Sequence, residues 1–140
     1  MSRRKDIEME RANTAYDSIM ELHKKEESDS KDFLEKTKAS YRAYAKKLPM
    51  LILNNGFGAS IAFVNSKKGK GKAEERAYDF LYKHIQKRLR DTGLADEKDL
   101  METIVKSKND DYRQMTKEAL AFLNWLRRFA EAEFKGDVQE

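Results

Sequence analysis

With 140 residues, no cysteine, one proline and a net charge of +4 from 29 Lys and Arg against 25 Asp and Glu, the chain fits one domain able to bury a core without covalent staples. The missing cysteines exclude disulfides and thiolate metal sites, and the longest apolar run, Leu48 to Leu53, is far too short to span a bilayer. The charged start "MSRRKDIEMERANTAYDSIM" has no apolar stretch of the kind a signal peptide needs, so the expectation is a soluble cytoplasmic protein that does not engage a membrane.

Ala, Leu, Lys and Glu are plentiful, whereas valine occurs only at Val64, Val105 and Val138. These proportions favour helix and predict an all-α fold, a single compact bundle of about five to seven helices forming one domain over residues 1–140. The first predicted helix runs from about Lys5 to Lys25, with Ala12, Ala15, Tyr16, Ile19, Leu22 and His23 on one face. "EESDS" breaks it, and Ser30 is the predicted N-cap of a second helix whose apolar face holds Phe33, Leu34, Thr37, Tyr41, Tyr44, Ala45 and Leu48. Pro49 either ends that helix near Lys47 or kinks it. "PMLILNN" has the length for two further turns, and Gly56 suits a left-handed C-cap.

"FGASIAFVNSK" reads as a short third helix with Phe57, Ile61, Ala62 and Val64 apolar, and Gly58 and Ala59 small enough for a close neighbour. The loop "KKGKGK" leads to a helix from about Ala73 to Arg90, with Ala77, Tyr78, Leu81, Tyr82, Ile85 and Leu89 inward. Gly93 suits its C-cap and Asp96 the next N-cap. A short helix follows with Leu100, Met101, Ile104 and Val105 apolar. The last helix runs from about Asp110 to Lys135, its stripe formed by Tyr112, Met115, Ala119, Phe122, Leu126 and Phe129.

Charge is distributed unevenly. Residues 1–35 hold 7 basic and 10 acidic side chains, residues 36–73 hold 9 basic and no acidic ones, and residues 74–140 hold 13 basic and 15 acidic. Two readings fit the acid-free segment: a buried hairpin rimmed by lysines for solubility, or a surface for a polyanion.

Motifs for catalysis are absent. Gly71-Lys72 is followed by Ala73 and preceded by Ser66 where a phosphate loop needs glycine, and the dinucleotide fingerprint started by Gly56 and Gly58 stops at Ile61. His23 and His84 lack metal-ligand spacing and lie at the edges of apolar faces, as structural histidines do. The acidic pairs Glu26-Glu27, Glu74-Glu75 and Asp110-Asp111 lie at predicted helix ends, and the helix dipole favours anions at the starts marked by Glu74 and Asp110. No metal or other cofactor is therefore expected. Lys87, Arg88 and Arg90 cluster at a helix C-terminus, where the dipole favours cations without any ligand. Trp125 sits about 110° from the centre of the last stripe. It either packs at the rim of the core or anchors a protein interface.

Two stretches carry a resemblance. "YAKKLPMLILNNGFGASIAFVNSK" holds Lys47-Leu48-Pro49, Asn55-Gly56 and Ala62-Phe63, and "YRQMTKEALAFLNWLRRFAEAEF" holds Thr116, Glu118-Ala119-Leu120, Trp125-Leu126 and Arg128-Phe129-Ala130. In order and separation they resemble the small subunit of the Cmr-type (type III-B) CRISPR–Cas effector complex. The resemblance implies a small, all-α, non-catalytic protein whose copies stack along the crRNA-bound backbone subunits and help hold target RNA, with cleavage left to other subunits. The partners it implies are the other subunits of that complex, copies of this chain, and target RNA. The type III-A (Csm-type) small subunit, as a protein-interaction module without RNA contact, is the alternative. The charge map, not a family motif, makes Lys46, Lys47, Lys67, Lys68, Arg127 and Arg128 the candidate RNA-binding residues, and its place off the stripe makes Trp125 the candidate protein contact.

Overall fold

The computed structural model describes residues 3–24 and 30–136. Its elements are α1 (Arg3–His23), α2 (Lys31–Asn55), α3 (Phe57–Lys67), α4 (Ala73–Asp91), α5 (Leu100–Val105) and α6 (Asn109–Glu133), with no strand among the described residues. The all-α bundle of about five to seven helices is what composition predicts. The end of the first predicted helix, at Lys25, lies outside the described residues. No helix among the described residues is long and apolar enough to cross a membrane.

The helix ends follow local chemistry. Ser30 caps α2, its Oγ accepting from the Phe33 N–H at 3.1 Å. Pro49 lies within α2, which continues to Asn55 without ending at Lys47. Gly56 closes α2 by donating its N–H to the Ile52 carbonyl at 2.8 Å, and its own carbonyl accepts from the Ser60 N–H at 3.1 Å in the first turn of α3. Its conformation is φ 92°, ψ 157°. That is an extended mirror-image region open essentially to glycine, not the left-handed helical cap that the sequence pattern predicts. The extended form turns the chain into α3 with Gly56 as the single residue between the two helices.

Gly93, at φ 81°, ends α4 as predicted. The Leu94 N–H reaches back to the Leu89 carbonyl and the Gly93 N–H to the Arg90 carbonyl, both at 3.0 Å. The next cap differs from expectation. Asp99, not Asp96, caps α5 by accepting from the Met101 N–H at 3.3 Å. The Arg90 guanidinium takes the carbonyls of Asp96, Glu97 and Lys98, which holds that stretch in a turn and delays the helix to Leu100. Val105, one of the apolar residues of this helix, is 70 % exposed, because Leu100 and Ile104 fill the inward side of its six residues. Ala62 is likewise exposed, while Phe57, Ile61 and Val64 are buried.

One continuous hydrophobic cluster joins all six helices, with Ile19, Tyr41, Phe57, Leu81, Leu100 and Phe122 among its members. Helix α2 packs on α4, α6 and α3, and α1 lies mainly along α6. Each large aliphatic or aromatic side chain buried this way contributes about 1.5–3 kcal/mol.

Two polar ties cross the core. Glu118 on α6 accepts from Arg11 of α1 at 2.8 and 2.9 Å, and from Arg88 of α4 at 2.9 Å. His84 on α4 bonds the Tyr41 hydroxyl at 2.7 Å through Nδ1 and Glu21 at 2.8 Å through Nε2. It is a structural histidine, as its position predicts. His23 meets Glu133 at 3.4 Å and the Phe134 ring edge-on. The basic cluster at the end of α4 disperses: Arg88 is buried on Glu118, Arg90 holds the loop, and Lys87 pairs with Asp91 at 3.3 Å.

Candidate nucleic-acid interface

The second half of α2 carries the sequence-predicted cations to an open groove. Ala39, Ser40 and Ala43 are small, so one side of the helix is shallow there, and Arg42, Lys46, Lys47 and Met50 rise around it. Arg42 and Lys46 are one turn apart and share a side. The backbone of Gly136 closes the far wall so tightly that a β-carbon at that position would collide with the Arg42 guanidinium. Arg42 Nε is buried and has no hydrogen-bond partner. Lys46 and Lys47 are exposed, and among the described residues no carboxylate lies within ion-pair distance of either. Unneutralised cations on a concave strip raise the local potential and favour anionic ligands.

A second, smaller hollow adjoins the first. It lies between α2, α3 and α4, has a volume of about 160 Å³, and is lined by Tyr44, Lys47, Leu51, Phe63, Tyr78 and their neighbours. The rings of Tyr44 and Tyr78 stack at 3.8 Å with a 7° tilt, and Phe63 stands edge-on to Tyr78 at 6.0 Å. Burial pushes the Tyr78 hydroxyl up to about 12, helped by the charge and hydrogen bond it shares with Tyr44. The Tyr44 hydroxyl is raised too, first by burial and further by Glu74. Both phenols are therefore neutral at physiological pH. Tyr44 and Lys47 border both hollows and form the ridge between them.

The remaining predicted residues are placed as follows. Lys67 Nζ lies 5.7 Å above the Phe63 ring, which brings it to the rim of the aromatic hollow. Lys68 lies 5.2 Å above the Tyr82 ring. Arg127 bonds Asn124 at 3.2 Å and pairs with Glu131 at 3.6 Å, all within α6, and Arg128 is exposed. No contact among the described residues joins these two arginines to the α2–α3 cations. Trp125 is half-buried on the α1–α6 seam, donating its indole N–H to Glu8 at 2.7 Å and leaning on Phe129 at 5.7 Å.

Sequence reasoning misses Arg42, Tyr44, Phe63 and Tyr78 as site residues. Arg42 is within its reach, because Ala39, Arg42, Ala43 and Lys46 follow helical spacing inside the acid-free segment. The tyrosine stack depends on how α4 packs on α2, and no local pattern signals it.

The family described as "CRISPR-associated protein (Cas_Cmr5)" matches residues 7–133, which include every residue of both hollows except Gly136. The chain belongs to the Cmr5 family. The curated protein "CRISPR system Cmr subunit Cmr5" of Thermus thermophilus is 31 % identical over 121 residues, covering 86 % of this chain and 90 % of the relative. A crystal structure of a CRISPR-associated Cmr5 family protein from the same organism superposes with a TM-score of 0.69 at 27 % identity, covering 96 % of this chain and 100 % of that one. The Cmr5 match decides between the Cmr-type and Csm-type small subunits in favour of the former. The six-helix frame carrying the groove is thus a shared fold along almost its whole length.

Proposed function

We propose that this Cmr5-family chain is a non-catalytic structural subunit of a type III-B CRISPR RNA-guided effector complex. In this reading it stacks with copies of itself beside the crRNA-bound backbone subunit and helps hold target RNA through its basic residues. The observation that carries the reading is the groove of α2, where Arg42, Lys46 and Lys47 line one open surface and no carboxylate among the described residues pairs with Lys46 or Lys47. A subunit that retains RNA of any sequence needs cations facing phosphates and no base code. Sequence selection belongs to crRNA–target pairing. Its location is then that of the complex, the cytoplasm.

The non-catalytic part of the proposal rests on the family and on how the buried ionisable groups are used. Glu118 is held by Arg11 and Arg88, and both ring nitrogens of the buried His84 are taken, by Tyr41 and by the exposed Glu21. The test is the double substitution Lys46→Glu/Lys47→Glu in the assembled complex. Target-RNA retention at low salt is expected to fall; unchanged retention would remove these two residues from the interface. A second reading, a pure protein-contact module, is favoured by Met50 and Leu53, which are 60 % and 67 % exposed beside the groove. Crosslinking to photoreactive target RNA separates the two, since the contact module gives no crosslink on this subunit.

A further inference from the structure

The groove explains where phosphates would run, but not why an aromatic hollow opens onto it. The hollow is walled by Tyr44 and Tyr78 and edged by Phe63, and its 160 Å³ is well below the roughly 300 Å³ at which small-molecule sites begin. It has room for one planar ring. Phe63 is 43 % exposed, with the mobile end of Lys67 over its ring. The mouth is cationic: Lys47 lines it, and Lys67 sits over Phe63. The interior is uncharged, since the rest of its lining is apolar and aromatic and tyrosine phenols are protonated at neutral pH. A neutral aromatic ring joined to an anionic backbone matches this pattern.

Proteins that hold single strands combine a cationic track with aromatic surfaces on which bases stack. Here the two features share the ridge residues Tyr44 and Lys47. We propose that the Tyr44–Phe63–Tyr78 hollow receives one unpaired base of an RNA strand whose phosphates lie along Arg42, Lys46 and Lys47. The inference rests on the RNA-holding reading above and deepens it: the bound strand is single-stranded or locally unpaired at this point, and base identity matters little, because every base has a stacking face.

The test uses the full chain and fluorescence anisotropy at low salt. One probe is a short single-stranded oligoadenylate, and the other is an abasic strand of the same length and charge. The base-bearing strand is expected to bind about tenfold more tightly than the abasic one. Phe63→Ala should bring the two strands to the same affinity, and Phe63→Leu, which keeps apolar bulk without a ring, should remove most of the difference. Abasic binding by both variants should match the parent, which also reports that they are folded. A 2-aminopurine probe should be quenched by the parent and not by Phe63→Ala.

Equal binding of the two strands, with both weakened by Lys46→Glu/Lys47→Glu, would overturn the base slot and leave the RNA-holding reading standing. Binding of neither strand, with no loss of target RNA from complexes carrying the lysine variant, would overturn both. If Phe63→Ala instead lowers the amount of this subunit in purified complexes and leaves the difference between strands intact, the hollow takes a protein side chain and the base slot is wrong.

Discussion

The molecule uses its cations in two opposite ways. On the α1–α4–α6 seam, Arg11 and Arg88 are turned inward and converge on one carboxylate, Glu118, with hydrogen bonds of 2.8 to 2.9 Å. On α2, Arg42, Lys46 and Lys47 face an open groove, and no acidic residue occurs anywhere between residues 36 and 73. The first arrangement consumes its charge in holding the fold. The second leaves its charge open to solvent or to a ligand. What separates the two is the placement of carboxylates, which the net charge of the chain does not describe.

The largest expected effect breaks the first region. Glu118→Gln leaves Arg11 and Arg88 facing a neutral amide, with Arg88 only 3 % exposed. Removing one member of a buried ion cluster costs about 3–5 kcal/mol. The lower end corresponds to a drop in melting temperature of about 10 °C for a domain of this size. Lys46→Ala/Lys47→Ala, by contrast, should stay within about 0.5 kcal/mol of the parent, as exposed substitutions do. Thermal melts of the two variants side by side test the comparison directly, and similar melting points would erase it.

Acid sharpens the same point. Burial pushes the Glu118 carboxyl up, but the hydrogen bonds and charges of Arg11 and Arg88 outweigh it and hold the group below its ordinary value. A carboxylate depressed in the folded state stabilises fully above its unfolded value, near 4.5, and that contribution is lost as pH falls through the folded value. The gap in melting temperature between the parent and Glu118→Gln should therefore be widest near neutrality and narrow in acid below that value. A gap that stays constant into acid would mean that charge is not what Glu118 contributes.

In the second region the expected stability cost falls on the backbone. Gly56→Ala forces an L-residue to φ 92°, ψ 157°, at a cost of about 2 kcal/mol. An added β-carbon would meet the Tyr112 hydroxyl at 3.6 Å, an ordinary contact, so the cost is conformational and not steric. A melt lowered by only a degree or two would show that the α2–α3 corner relaxes. The lysines themselves should appear only in binding. Reversing Lys46 and Lys47 is expected to weaken RNA binding about tenfold and to flatten the salt dependence by about 0.7 in slope for each phosphate left unneutralised. A tenfold weakening with an unchanged slope would move these residues from phosphate contact to an indirect role.

How much of this is legible in the sequence follows the same division. Periodicity finds all six helices, and it is weakest at α5, where six residues give too few turns to say which way Val105 faces. It misplaces the α5 cap to Asp96 because the side chain that fixes that turn, Arg90, comes from the preceding helix. The groove lysines are visible because a charge gap is a property of the linear chain. Arg88 looks like part of a basic cluster because its partner Glu118 arrives from another helix. The aromatic hollow is hidden for the same reason: Tyr44 and Tyr78 each look like core residues on their own helix, and only the packing of α4 on α2 stacks them at the surface.

Trp125 lies at the edge of the first region, and its substitution should have the smallest effect. Its indole N–H donates to Glu8, whose side chain is 43 % exposed. In Trp125→Phe the freed carboxylate is rehydrated, and the ring contact with Phe129 is largely kept. The free chain should lose about 1 kcal/mol, the worth of one hydrogen bond to a half-exposed charge. The same substitution in the assembled complex discriminates between the two roles of the side chain. If Trp125 only packs the α1–α6 seam, incorporation of the subunit will follow that small stability loss. If it anchors a neighbouring protein, Trp125→Ala will reduce incorporation by far more than it reduces the melting temperature, because a tryptophan at the centre of an interface can carry about 2 kcal/mol or more of the binding energy, and Trp125→Phe will fall in between.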